Sequence, residues 1–142
     1  NVECVIVDRD PRDVFISNKY IWGRVYGSEI PYPFDVHEFC SYYRRIRTSE
    51  KPTENVRIHR IHFEDLIYEH EASMERIASI VQAPTKLDAS APIGFSPAKS
   101  INNTQLFLLN DMQDEANIIE RELEEYLYDF PERRIPEREL SF

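Results

Sequence analysis

The chain has 142 residues, 42% of them hydrophobic, with a formal net charge of -9. That length predicts one domain around one core, and no apolar run approaches the roughly 20 residues that a membrane-spanning helix needs. The charge is uneven: residues 111 to 142 hold eleven acidic and four basic side chains, which leaves -2 for residues 1 to 110. No basic patch with interleaved aromatics stands out, which argues against nucleic acid as a partner. Cys4 and Cys40 sit at no metal or redox spacing and read as buried thiols. Four histidines, His37, His59, His62 and His70, lack neighbours that would make a metal site or a base, and read as surface or satisfied side chains.

Val2, Val5, Ile6 and Val7 around Cys4 predict a buried strand that meets solvent at Asp8. Asp10 then suits a helix cap, Pro11 the first helical position, and Asp13 the reciprocal side of a capping box. A helix is expected from Pro11 to a stop at Gly23, with Val14, Ile21 and Phe15, Trp22 on its apolar side. Arg9 therefore falls at a strand end beside a helix amino terminus, where backbone amides and the helix dipole favour an anion. A guanidinium there can grip a phosphate with two parallel hydrogen bonds, and Ser17, eight positions on, can add a hydroxyl. The competing reading pairs Arg9 with Asp8 or Asp13 and turns Ser17 back to the carbonyl of Asp13.

Ser28 to Phe34, with Pro31 and Pro33, reads as a surface loop. Asp35 and Glu38 form a second capping pattern ahead of a helix with Val36, Phe39, Cys40, Tyr43 and Ile46 as its buried stripe and Arg44, Arg45 and Arg47 on a solvated side. A turn from Ser49 to Asn55 leads to a strand over Val56 to Phe63, on which His59 and His62 point to opposite faces. Glu64 and Asp65 end that strand in a structural role, and a helix follows over Ser73 to Gln82. Residues 83 to 100, with Pro84, Pro92, Gly94 and Pro97, read as a long irregular connection of the kind that often binds ligands. From Thr104 to Phe130 a stripe of Leu108, Met112, Ile119, Leu123, Tyr126 and Leu127 predicts one long acidic helix, and Arg133 to Phe142 an irregular tail.

Strands separated by helices predict an α/β domain with a largely parallel sheet. The run from Val5 to Ser17 resembles the 3′-phosphate-binding motif of PAPS-dependent sulfotransferases: an apolar strand, then Arg, Asp or Asn, Pro, any residue, Asp, and Ser eight after the Arg. Phe63, Glu64, Asp65 and Leu66 are similar to that family's later strand end. Phe95, Ser96, Pro97, Lys99, Ser100, Asn102, Asn103 and Thr104 resemble a segment that several carbohydrate sulfotransferases carry before their last helix. The resemblance implies a partial three-layer, parallel-sheet domain of the P-loop nucleoside-triphosphate-hydrolase type, spanning residues 1 to 142. It implies transfer of a sulfuryl group from PAPS to a hydroxyl or amine, with a carbohydrate acceptor and no metal. Arg9 and Ser17 would hold the 3′-phosphate, and Lys99 and Ser100 would contact cofactor or acceptor.

The family also carries an upstream strand, a glycine-rich loop with a lysine for the 5′-phosphosulfate, and a catalytic base. The glycines here are Gly23, Gly27 and Gly94, so no such loop can be drawn. The chain is thus expected to be the carboxyl-terminal half of the domain, with no catalytic residue of its own and the amino-terminal half as its partner. Two competing readings stand beside this one. Asp8 and Asp10 form an Asp-x-Asp pattern that binds a divalent metal and sugar nucleotide in glycosyltransferases, and the chain can also be a noncatalytic interaction domain.

Overall fold

The computed structural model describes residues 2–23, 32–49, 54–82 and 95–137. The chain is mixed α and β and falls into two compact units, residues 1–9 with 51–101 and residues 10–50 with 102–142.

The first unit is built on strands β1 (Val2–Asp8) and β2 (Val56–His62), which pair in parallel from Val2↔Val56 to Asp8↔His62. Parallel neighbours bring their carboxyl ends to the same edge, and the ladder closes there with the Phe63 amide donating to the Asp8 carbonyl at 2.7 Å. The described residues of this unit also form helices α3 (Asp65–Tyr68), α4 (His70–Val81) and α5 (Pro97–Ser100). Helix α4 packs on β1, and α3 packs against both β2 and α5. Ile61 and Ile67 supply the buried aliphatic side chains. β1 is not the buried strand that its apolar run predicts. Val2 and Val7 are 60% and 52% exposed, because among the described residues the sheet has two strands and nothing covers those positions. Helix α4 also starts three residues ahead of Ser73, and ends at Gln82 in a left-handed conformation, φ 53°.

The second unit holds helices α1 (Pro11–Ile16), α2 (Val36–Ser49) and α6 (Gln113–Glu122). Their apolar faces meet in a core of Phe15, Ile16, Val36, Phe39, Cys40 and Tyr43 against Leu106, Phe107, Met112, Ala116, Ile119 and Leu123. Asp10 caps α1 as expected, its side chain accepting from the Arg12 amide at 2.9 Å. After Ile16 the chain widens into a π-helical segment, Ser17–Trp22, and Gly23 keeps helical angles instead of stopping the helix with a left-handed residue. The wider turn shifts the helical register beyond Ile16, and Trp22 stands 47% exposed. Helix α2 carries the expected stripe up to Tyr43, but Ile46 lies 40% exposed near the helix end. Burial pushes the Cys40 thiol up to about 11, which makes it an inert core group.

The long helix expected from Thr104 is instead a chain of short turns. Three-residue 3₁₀ turns at 106–108 and 110–112 precede α6, and another follows at 124–126. Gln105 at φ 57° and Leu109 with an extended ψ of 134° interrupt the helical path, and Leu123 ends α6. Residues 133–137 are irregular as expected, while the expected loop at 28–34, the turn at 49–55 and the connection at 83–100 lie partly outside the described residues.

Asp13 also ties α1 to a segment distant in sequence. Its buried carboxylate accepts from the backbone amides of Gln105 and Leu106, both at 2.7 Å, and so stitches α1 to the segment that enters the second half of the core. Nearby, Lys19 and Tyr20 both hydrogen-bond Glu115 of α6. Burial works against the Lys19 ammonium, but its bond to Glu115 outweighs that and raises its pKa.

Asp13→Ala should lower the stability of the second unit by about 3 kcal/mol, since it strands two buried amides that a carboxylate now satisfies. Urea unfolding followed by far-ultraviolet circular dichroism checks this, with the exposed Asp111→Ala as control. Asp35 caps α2 by accepting from the His37 and Glu38 amides, both at 3.0 Å, and the Glu38 bond leads in holding its pKa below the ordinary 3.8. A depressed carboxylate stabilises the fold above its unfolded pKa and loses that effect as pH falls through the folded value. The protection of the first-turn amides of α2, measured against their intrinsic exchange rates, should therefore decline in the wild type as pH falls below 3.8 toward the lower folded value, and should already be lost at neutral pH in Asp35→Ala.

Candidate anion site at the strand ends

Because β1 and β2 are parallel and in register to Asp8↔His62, the next residue of each, Arg9 and Phe63, leaves the sheet at the same edge. In open α/β sheets this carboxyl edge is where ligands bind. The half-buried Arg9 guanidinium lies over the Phe63 ring, 5.3 Å from its centroid. Phe63 meets Phe95 edge-on at 6.1 Å, and Phe95 stacks on His70 at 6.0 Å. His70 is oriented by Leu66, whose carbonyl lies 3.0 Å from Nδ1. The edge thus presents a cation backed by a run of half-buried rings, a combination suited to an anionic group attached to a planar one.

The acids around Arg9 have defined tasks. Asp8 takes Arg60, whose Nη1 reaches both carboxylate oxygens at 2.9 and 2.8 Å. Asp10 is fully buried and takes the Arg12 side chain at 3.0 and 2.8 Å as well as the Tyr128 amide at 3.1 Å. Burial opposes the Arg12 charge, but its bond to Asp10 outweighs that and raises its pKa further. A metal at Asp8 and Asp10 would have to displace both guanidinium groups. This donor chemistry works against the glycosyltransferase reading. No group of three or more metal-ligating side chains occurs among the described residues.

Of the residues expected to hold cofactor, Arg9, Lys99 and Ser100 share the first unit and Ser17 lies in the second. Lys99 and Ser100 sit on α5, which follows directly from Phe95 and Ser96 and packs on α3. The amides of Lys99 and Ser100 donate to the Ser96 carbonyl at 3.1 and 2.8 Å, so the turn that carries them is fixed from within. Lys99 is exposed and Ser100 half-buried. Ser17 is buried at the point where α1 passes into its π segment, with its amide donating to the Asp13 and Val14 carbonyls.

Sequence reasoning missed the pairing of Arg60 with Asp8 and the task of Phe63 as the surface beneath Arg9. The first was accessible in principle: in a parallel pair, Arg60 lies opposite Ile6, two residue pairs before the strand end at Asp8↔His62. Glu64 is buried and its carbonyl opens α3 by accepting from Ile67 and Tyr68, consistent with its structural reading. His59 and His37 face Glu3 and Glu122 at 2.6 and 2.7 Å. The His59 hydrogen bond leads in lowering the Glu3 pKa.

Compared with known proteins, the chain matches no family model, no curated protein and no solved structure.

Proposed function

We propose that this chain supplies the 3′-phosphate-binding part of a PAPS-dependent sulfotransferase of the P-loop, three-layer fold type, acting on a hydroxyl or amine of a carbohydrate acceptor. The observation that carries the reading is the guanidinium of Arg9 at the carboxyl edge of a parallel strand pair, backed by Phe63. Support also comes from the order of the three motif-bearing stretches, strand and capped helix at 5–17, strand end at 63–66 and turn at 95–104. Arg9 grips the 3′-phosphate with two parallel hydrogen bonds, and Ser17 adds its hydroxyl. Lys99 and Ser100 contact the nucleotide or the acceptor from α5. Binding energy taken up at the ribose phosphate then holds the nucleotide in register, so that the remote sulfur is presented to the acceptor in one orientation. The sulfur–oxygen bond to the 5′-phosphate breaks, a bond to the acceptor oxygen or nitrogen forms, and adenosine 3′,5′-bisphosphate leaves. No residue of this chain is assigned the catalytic proton transfer.

Isothermal titration with adenosine 3′,5′-bisphosphate and with AMP separates the 3′-phosphate from the rest of the nucleotide. Arg9→Ala should weaken the bisphosphate at least tenfold and leave AMP nearly unchanged, and Ser17→Ala should do the same to a smaller degree. Equal losses for the two ligands, or a requirement for magnesium or manganese, would count against the assignment.

A further inference from the structure

The second unit carries an open groove of about 530 Å³ that the proposed nucleotide site does not use. Its floor is apolar and aromatic. Phe107 and Phe130 lie 5.8 Å apart, Tyr128 meets Phe130 edge-on at 5.0 Å, and Leu127 also lines the groove. One cation already uses this floor: the Arg12 guanidinium lies 3.8 Å from the Phe107 centroid and is neutralised by Asp10 beneath it. The rim is acidic and wet, with Glu120, Asp129 and Glu132 all exposed and Arg133 as the opposing charge. Glu120 stands 3.5 Å from Arg12 with more than half of its side chain in solvent.

We propose that this groove docks a basic segment of a partner polypeptide through one arginine or lysine side chain. The argument is complementarity on two scales. Locally, a methylene stem fits the ring floor while the charged head reaches the carboxylates on the rim, and the aromatic faces add cation–π attraction. More widely, residues 111 to 142, which supply most of the lining, carry eleven acidic against four basic side chains, a field that draws cations and repels phosphate and sulfate. An anion would meet three rim carboxylates, and a wholly apolar ligand would leave them dehydrated without a partner. The inference holds whether or not the chain takes part in sulfuryl transfer.

Fluorescence anisotropy tests it on the whole chain with a labelled peptide, Gly-Ser-Arg-Ala-Arg-Ser-Gly, and a control with both arginines replaced by glutamine. The arginine peptide should bind at least tenfold more tightly than the control, and less tightly as salt rises from 50 to 300 mM. The doubly exposed change Asp129→Asn with Glu132→Gln should weaken the arginine peptide at least fivefold without shifting the melting temperature, while Glu71→Gln on α4 should not. Adenosine 3′,5′-bisphosphate should not compete. The proposal fails if the glutamine peptide binds equally, if the rim variant binds as the wild type does, or if free spermidine displaces the peptide at equal concentration, which would make the ligand a small polyamine instead.

Discussion

The parallel pairing of β1 with β2 is the constraint on which the account of the first unit depends. One register, from Val2↔Val56 to Asp8↔His62, decides which residues leave the sheet together. A shift of one residue would turn every side chain of one strand to the opposite face and separate Arg9 from Phe63. The ion pair between Asp8 and Arg60, one guanidinium nitrogen shared by both carboxylate oxygens, lies near the end of the same ladder, so an ionic contact between strands holds the register where the site begins. That pair is partly exposed, and its worth is specificity of register more than raw stability.

The short segment from Asp8 to Asp13 is dense in charge, and each acid is used differently. Asp8 pins a strand, Asp10 caps α1 while holding Arg12 and the Tyr128 amide, and Asp13 carries the backbone of Gln105 and Leu106. Gln105 extends this outward, accepting from the Arg134 amide at 3.0 Å and donating to the Glu132 carbonyl at 2.9 Å, which fastens the irregular tail. Buried carboxylates are costly unless saturated with donors, and here the donors are largely backbone amides of distant segments. The acids of this stretch are therefore structural groups, Asp8 in the first unit and Asp10 and Asp13 in the second. The overall charge of -9 is a property of the surface and the tail, not of the strand edge.

Local chemistry was readable where it is decided locally. Asp10 with Pro11, Asp35 ahead of Val36, the apolar stripe from Val36 to Tyr43 and the strand from Val56 all appear where capping, proline geometry and periodicity put them. The misreadings come from features decided by distant partners. The exposure of Val2 and Val7 depends on what lies beside β1, which its own side chains do not encode. The break-up of the expected helix after Thr104 follows from the left-handed Gln105, whose amide is drawn to Asp13, ninety-two residues away in the chain. The π segment after Ile16 likewise falls within a run whose heptad spacing looks regular. For the site, Arg9 could be picked out from its place between strand and helix, but its aromatic backing by Phe63 needs the parallel register, and the assignment of Arg9 and Ser17 to different units cannot be read from a spacing of eight.

The proposed function rests on a single cation at a sheet edge, the Arg9 guanidinium over Phe63, as the group that would recognise the phosphate on a ribose. Phosphorus-31 resonance during titration of the protein into adenosine 3′,5′-bisphosphate reads that contact directly, because the two phosphates of the ligand give separate signals. The account predicts that the 3′-phosphate signal shifts and broadens more than the 5′ signal, and that Arg9→Ala abolishes the difference. A larger response at the 5′-phosphate, or an unchanged 3′ response in Arg9→Ala, would contradict it.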